Sequence, residues 1–276
     1  MLKCGITGYR GILGSELINN KKFNYIKFRG DITKKKIVEK WVKNNNFDLI
    51  IHLAALVPTY KVNKYYNYSM KVNYFGTKYL VDSLIKFKKE PKLFFYASTS
   101  HVYKLKQKNI KISENGKLEP SSKYGRTKLL SEIYIRNLFQ KYKIKYCVGR
   151  IFSFTHIKQD KSFLIPSLFK KIKKNKYKNI KLKDLNHYRD FLSLKDIVKA
   201  IEILCTNQKK GIYNIGSGKK ISLIKIASFF SKKFNKKISF TKSSRQPSFL
   251  ISNNSKLLKT GWRPKIKINS ELEKFL

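Results

Sequence analysis

"GITGYRGILG", residues 5–14, sets glycines at 5, 8, 11 and 14 with Arg10 among them. The run before it, Leu2 to Thr7, is short and mostly apolar, as a buried strand would be. The run after it, "ILGSELI", carries apolar residues at helical spacing. Strand, glycine-rich turn and helix is the arrangement that aims backbone N–H groups and a helix N-terminus at a phosphate. The plainer reading is a tight turn in any α/β protein, so the rest of the chain decides.

Working outward, "YIKFRGDIT" (25–33) reads as a second strand, followed by a Lys-rich helix over about 33–45. "FDLIIHLAAL" (47–56) is a nearly continuous apolar run, of the kind parallel sheets bury on both faces. A long Tyr-rich helical stretch runs through "VNYFGTKYLVDSLIKF" (72–87), then come the strand "KLFFYASTS" (92–100), a helix from near Ser121 and the strand "IKYCVGRIFS" (144–153). Strands alternating with helices at crossover lengths predict an α/β fold, a doubly wound parallel sheet of Rossmann type, over residues 1–152. Beyond residue 152 the alternation loosens, which predicts a smaller C-terminal lobe over 153–276, with 188–215 returning to the Rossmann core.

The formal charge of +46 invites a nucleic-acid reading, but of 62 basic residues only 8 are Arg and 54 are Lys. Abundant Lys, Asn and Ile are what an AT-rich coding sequence gives, the lysines are spread along the chain, and no nucleic-acid motif is present. No nucleic-acid partner is expected. Where lysine is the default cation an arginine is informative, because its fork binds phosphate bidentately. No apolar run approaches the roughly 20 residues of a membrane span and no charged leader precedes one, so a cytoplasmic protein without a membrane partner is expected. Cys4, Cys147 and Cys205 lack metal or disulfide spacing, and the four histidines are scattered, so no metal site is expected.

Tyr124 and Lys128, in "PSSKYGRTK" (120–128), stand at i and i+4 on one helix face. A neighbouring ammonium favours the phenolate and is expected to pull the Tyr124 hydroxyl down from about 10, giving a proton donor or acceptor. The pattern alone says little: about three such pairs arise by chance in this composition, and Tyr60, Tyr74 and Tyr177 also have a Lys four residues on. Context separates them. Only Tyr124 opens a helix after a Pro/Ser turn, 25 residues beyond Thr99 in the hydroxyl-rich strand end "ASTSHVY" (97–103).

With these segments in order, the chain resembles the extended short-chain dehydrogenase/reductases, the NAD-dependent epimerase/dehydratase family acting on nucleotide sugars. The resemblance runs through "TGYRGILG", "GDI" (30–32), "HLAA" (52–55), "VNYFGT" (72–77), "STSHVY" (98–103), "YGRTK" (124–128), "RDFLSLKDIVKAI" (189–201), "YNIGSG" (213–218) and "GWRPK" (261–265). It is nearest to the family's GDP-4-keto-6-deoxymannose reductase-like members, and so to enzymes of cell-surface polysaccharide biosynthesis.

The resemblance implies Thr99 and Tyr124 on the reacting sugar oxygen, with Tyr124 as acid/base and Lys128 as its partner, also holding the cofactor ribose. It implies cofactor contacts from Gly8, Arg10, Gly11, Ile12 and Gly14, from Arg29, Asp31 and Ile32, and from Leu53, Ala54 and Ala55. Asp31 also suits a helix N-cap. Substrate contacts are implied for Thr99, Ser100, His101, Ser153, Arg189 and Arg245, the two arginines clamping a diphosphate, while Arg150 is expected to be structural. Two departures matter: Ser153 replaces a common Asn, and His101 stands where 4,6-dehydratases carry a Glu, so dehydration is not expected. The expected reaction is NAD(P)H-dependent reduction of a 4-keto nucleoside-diphosphate sugar. A 4-epimerase with tightly bound NAD is the alternative, and a non-enzymatic cofactor- or nucleic-acid-binding protein a remote one. Arg10 and Arg29, with no acid closing the second strand, favour NADP(H) over NAD(H). A homodimer through the helices at 64–88 and 121–142 is a further expectation.

Overall fold

In the computed structural model the described residues are 1–57, 59–241 and 246–276. Chain order begins β1 (Lys3–Thr7), α1 (Ile12–Asn19), β2 (Asn24–Lys27), α2 (Lys35–Lys43) and β3 (Leu49–His52). It continues through the short helices α3 (Thr59–Lys64) and α4 (Tyr66–Met70), α5 (Gly76–Lys86), β4 (Leu93–Thr99), α6 (Lys123–Lys141) and β5 (Tyr146–Ile151). The apolar runs alternate sides as strands must: Leu49 and Ile51 enter one core with Phe95, and Ile50 enters the other with Phe94. Both faces of the sheet are therefore covered, each fully buried side chain contributing roughly 1.5–3 kcal/mol. The expected helical stretch through residues 72–87 is present, but its winding changes within it. A π turn spans Lys71–Phe75, because the Asn73 carbonyl accepts from the side chains of Thr77 and Ser131.

The second half supplies β6 (Ser153–Thr155), α7 (Leu164–Lys173), β7 (Asn179–Leu182), β8 (His187–Arg189), β9 (Phe191–Ser193), α8 (Leu194–Thr206) and β10 (Gly211–Ile215). It ends with β11 (Ile221–Ser222), α9 (Leu223–Lys233), β12 (Lys237–Phe240), β13 (Ser248–Leu250), α10 (Ser255–Leu258) and α11 (Ile268–Glu273). β10 joins the main sheet, whose order is β10-β5-β4-β3-β1-β2, parallel throughout. β7 pairs with β12, and β8 lies between β11 and β13, over a separate core of Ile165, Ile172, Ile180, Leu182 and Phe230. Among the described residues no helix is long and apolar enough to cross a membrane. The helices at 64–88 and 121–142 carry the exposed Tyr68, Phe75, Leu130 and Ile133.

Two buried carboxylates tie the lobe to the sheet. Asp190, wholly inaccessible, accepts from the backbone N–H groups of Ser217, Gly218 and Ser252 at 2.7, 2.9 and 3.1 Å and from both serine hydroxyls. Gly216 permits this, since a Cβ there would lie 2.7 Å from Asp190 Oδ2. Asp196 in the first turn of α8 accepts from the Lys265 and Ile266 N–H groups, and its carbonyl from Trp262 Nε1, which folds "GWRPK" back onto the sheet. Arg263 in that segment is exposed and bonds only carbonyls. Asp190→Ala strands five buried or half-buried donors, and we expect a loss of about 3 kcal/mol or more in urea unfolding, with Asp190→Asn falling between the two.

Candidate active site

The opening turn sits where the sheet reverses: β1 pairs with β2 on one side and β3 on the other, leaving a crevice at their carboxyl ends. Gly8 has φ +71°, and a Cβ on it would come within 2.6 Å of the Ala54 nitrogen. A Cβ on Gly14 would come within 2.6 Å of Tyr9 Cα. Gly11 donates to the Gly8 carbonyl at 3.1 Å and serves as N-cap of α1 with no side chain closing the helix end. The first N–H groups of α1 are thus free for an anion, and the bare backbone lets it approach. These residues fit a dinucleotide. Gly5 is different, packing its α-carbon against the rings of Phe47 and Trp41.

Ile12, Leu53, Ala54 and Ala55 are half-buried beside the turn, and Ile32 is buried. Arg10 Nε donates to the Tyr9 hydroxyl at 3.1 Å, and the Tyr9 ring also has the Arg10 guanidinium 5.5 Å and the Lys27 ammonium 5.9 Å from its centroid. Arg29 is exposed. Asp31 does not cap α2: its carboxylate closes a turn onto the Thr33 N–H and hydroxyl, and Lys34 is the N-cap without a side-chain bond. The helix therefore starts later than its lysines suggest.

Behind this turn lies a buried relay that the sequence reading did not assign. Thr7 Oγ1 accepts from the Ala54 N–H at 3.2 Å and meets His52 Nδ1 at 2.6 Å. His52 Nε2 meets Thr77 Oγ1 at 2.8 Å, and Thr77 donates onward to the Asn73 carbonyl. Because the Thr77 proton is committed, Nε2 must carry the hydrogen and Nδ1 must accept from Thr7. His52 is thus neutral, consistent with burial and the Lys128 charge holding its imidazole down to about 3. The Asn73 side chain closes the loop, holding Leu56 through its N–H and carbonyl and donating to Thr127 on α6. "HLAA" and "VNYFGT" were the available signals.

Thr99, Tyr124 and Lys128 come together under the end of β4, all nearly inaccessible. Ser122 caps α6 through the Gly125 N–H at 3.0 Å. Gly125 lets the helix close on the turn after Thr99, since a Cβ there would collide with the His101 carbonyl oxygen. Thr99 Oγ1 accepts from the His101 N–H at 3.3 Å and lies beside the Tyr124 hydroxyl. The expected fall in the Tyr124 pKa does not occur. Burial pushes the phenol up, against a smaller pull from Thr99, while burial also pushes Lys128 down to about 7 and so weakens its charge.

His101 sets its ring edgewise on Tyr124, centroids 6.1 Å apart. The crowded wall and then the Arg189 charge hold its imidazole down, to about 4; the ring's exposure to the open cleft tempers that effect. Ser100 is buried and Ser153 half-buried, its N–H bonded to the Asp190 carbonyl. The Arg189 guanidinium bonds, among the described residues, to the Tyr188 and Ser248 carbonyls and the Ser248 hydroxyl. Among the described residues no carboxylate pairs with it, and burial lowers its pKa to about 10. Arg245 lies outside the described residues. Arg150 has a different environment: buried, it takes both Glu132 oxygens and the Tyr103 hydroxyl, and Ser98 donates to Glu132 beneath Thr99.

A family model described as GDP-mannose 4,6 dehydratase matches residues 13–275. The dTDP-D-glucose 4,6-dehydratase of Dictyostelium discoideum is 28% identical over 221 residues, covering 75% of this chain and 50% of that protein. The dTDP-4-dehydro-6-deoxyglucose reductase of Escherichia coli is 25% identical over 272 residues, 95% of this chain and 83% of the relative. The chain thus spans half the length of the first relative and most of the second. The structure of RMD from Pseudomonas aeruginosa complexed with NADPH superposes with a TM-score of 0.88 over 100% of this chain and 98% of that one, at 20% identity, a likeness of fold. The chain belongs to the GDP-mannose 4,6-dehydratase family, in the epimerase/dehydratase branch of the short-chain dehydrogenase/reductases.

Proposed function

We propose that this enzyme reduces a 4-keto nucleoside-diphosphate sugar, hydride going to C4 and the proton coming from Tyr124. The observation that carries the reading is the buried Tyr124 hydroxyl beside Thr99, one helical turn from Lys128, with burial favouring the protonated phenol. A phenol can give a proton to a carbonyl oxygen that is becoming an alkoxide, whereas oxidation of an alcohol needs the phenolate. Dehydration needs a group that removes a carbon-bound proton, and beside the triad stand Ser100 and His101 in place of a carboxylate.

A nicotinamide cofactor held at the Gly8–Gly14 turn would supply the hydride when bound. Thr99 and Tyr124 direct two hydroxyls at the sugar oxygen, and Lys128 lies one helical turn behind Tyr124. Arg189, a half-buried cation without a carboxylate, suits the diphosphate, where its planar fork takes two oxygens together. For the cofactor we favour NADPH. Arg10 and Lys27 share the Tyr9 ring where β2 ends, the exposed Arg29 follows two residues after Lys27, and Asp31 is engaged by Thr33.

Tyr124→Phe removes one oxygen, so turnover should fall at least about a hundredfold with thermal melting and dinucleotide binding unchanged. Tyr60→Phe and Tyr177→Phe, whose rings are exposed, serve as matched controls. Activity within tenfold of wild type would remove Tyr124 from the chemistry. Arg189→Lys keeps the charge but loses the fork, and calorimetry with nucleoside diphosphates should show a loss of about 1–3 kcal/mol. Equal affinity would place the diphosphate elsewhere. NADPH should outperform NADH, with Arg10→Ala plus Arg29→Ala narrowing the gap by weakening NADPH. Equal or better use of NADH, or NAD released on denaturation, would favour a 4-epimerase.

A further inference from the structure

Lys128 is an ammonium group in an apolar place, and its surroundings offer little charge to hold it. On its own helix it has the protonated Tyr124 and Glu132, but both Glu132 oxygens are taken by Arg150 of β5. From β3 comes His52, neutral through the relay described above. The π turn and α5 contribute Asn73 and Thr77, which carry no charge. What remains is the face of Tyr96 on β4. Lys128 Nζ stands 4.1 Å from that ring's centroid, the shortest of the chain's described cation–ring distances, and both residues are almost wholly excluded from solvent. The Tyr96 ring is backed by His52, centroids 5.6 Å apart. Its hydroxyl lies near Ser131 and Thr77 without a well-formed hydrogen bond.

We propose that Tyr96 is a positioning residue for the reaction, its ring face holding the Lys128 ammonium in place and keeping it protonated. A desolvated cation over an aromatic face is attracted by the ring's quadrupole without needing a counter-ion. A carboxylate in that position would cancel the ammonium toward any anionic ligand, whereas an aromatic ring carries no net charge to cancel it. Burial works against the ammonium and Glu132 opposes only in part, so a neighbour that stabilises the charge has work to do here.

The test is a direct titration, independent of turnover. Protein labelled with carbon-13 at the lysine ε position is titrated by NMR, with the Lys128 signal assigned by its loss in Lys128→Arg. Three variants are compared: Tyr96→Phe, Tyr96→Leu and Tyr96→pentafluorophenylalanine, the last keeping the ring's shape while reversing its quadrupole. Tyr96→Phe should titrate as wild type. The other two should titrate lower, by roughly one pH unit or more, and the alkaline limb of kcat/KM should move down with them. Should Tyr96→Leu not fold, the fluorinated ring still decides. A fluorinated variant whose Lys128 titrates as in wild type overturns the proposal, even if its activity falls. The activity limb rests on the reductase reading: a shifted lysine without turnover of a 4-keto nucleotide sugar by the wild-type protein would overturn that reading and leave this one standing.

Discussion

The run of directed hydrogen bonds from the Ala54 N–H through Thr7, His52 and Thr77 to the Asn73 carbonyl is the constraint on which the site depends. Each member has one proton to give and one place to give it, so the order cannot be reversed without stranding a donor in a dry interior. That relay fixes the end of β3 against the end of β1, and so the wall that Gly8 must approach. Through Asn73 it fixes the π turn, and through Thr127 it fixes the angle at which α6 crosses the sheet. The glycine turn and the Tyr124–Lys128 face are thereby parts of one rigid piece, although residues 8 and 128 are far apart in sequence.

The charge balance sharpens the same point. With 16 acidic residues against 62 basic ones, the chain places several of its few carboxylates in the interior. Asp190, Asp196 and Glu132 are buried and fully engaged, by backbone N–H groups, serine hydroxyls or Arg150. The cleft beside Thr99 and Tyr124 is left to cations, hydroxyls and aromatic rings. Such a cleft favours an anionic ligand before any specific contact is made.

The parallel sheet, the glycine turn and the family were legible because each depends on short-range spacing: Ile50 and Ile51 must point to opposite faces, and glycines three apart make one turn. The pairing of Tyr124 with Lys128 could be singled out only in context, since a Tyr four residues before a Lys recurs at Tyr60, Tyr74 and Tyr177. What the sequence concealed depends on partners brought together by folding. Nothing local to Asn73 announces a π turn, because the hydroxyls that take its carbonyl come from Thr77 and, across 58 residues, Ser131. The Tyr124 shift was read with the wrong sign for a related reason. Spacing shows that Lys128 is near, but not that both groups leave water together.

The turn after Thr99 divides the work at residue 101 between main chain and side chain. The N–H of residue 101 is bound to Thr99, and its carbonyl abuts the α-carbon of Gly125, so the backbone there is held from both sides. Its side chain projects to the Tyr124 ring edge and takes no part in that support. Every residue except proline satisfies the backbone demand. The fold therefore offers, beside the Tyr124 hydroxyl, one position whose side chain can be exchanged by a single codon change without disturbing the scaffold that holds it.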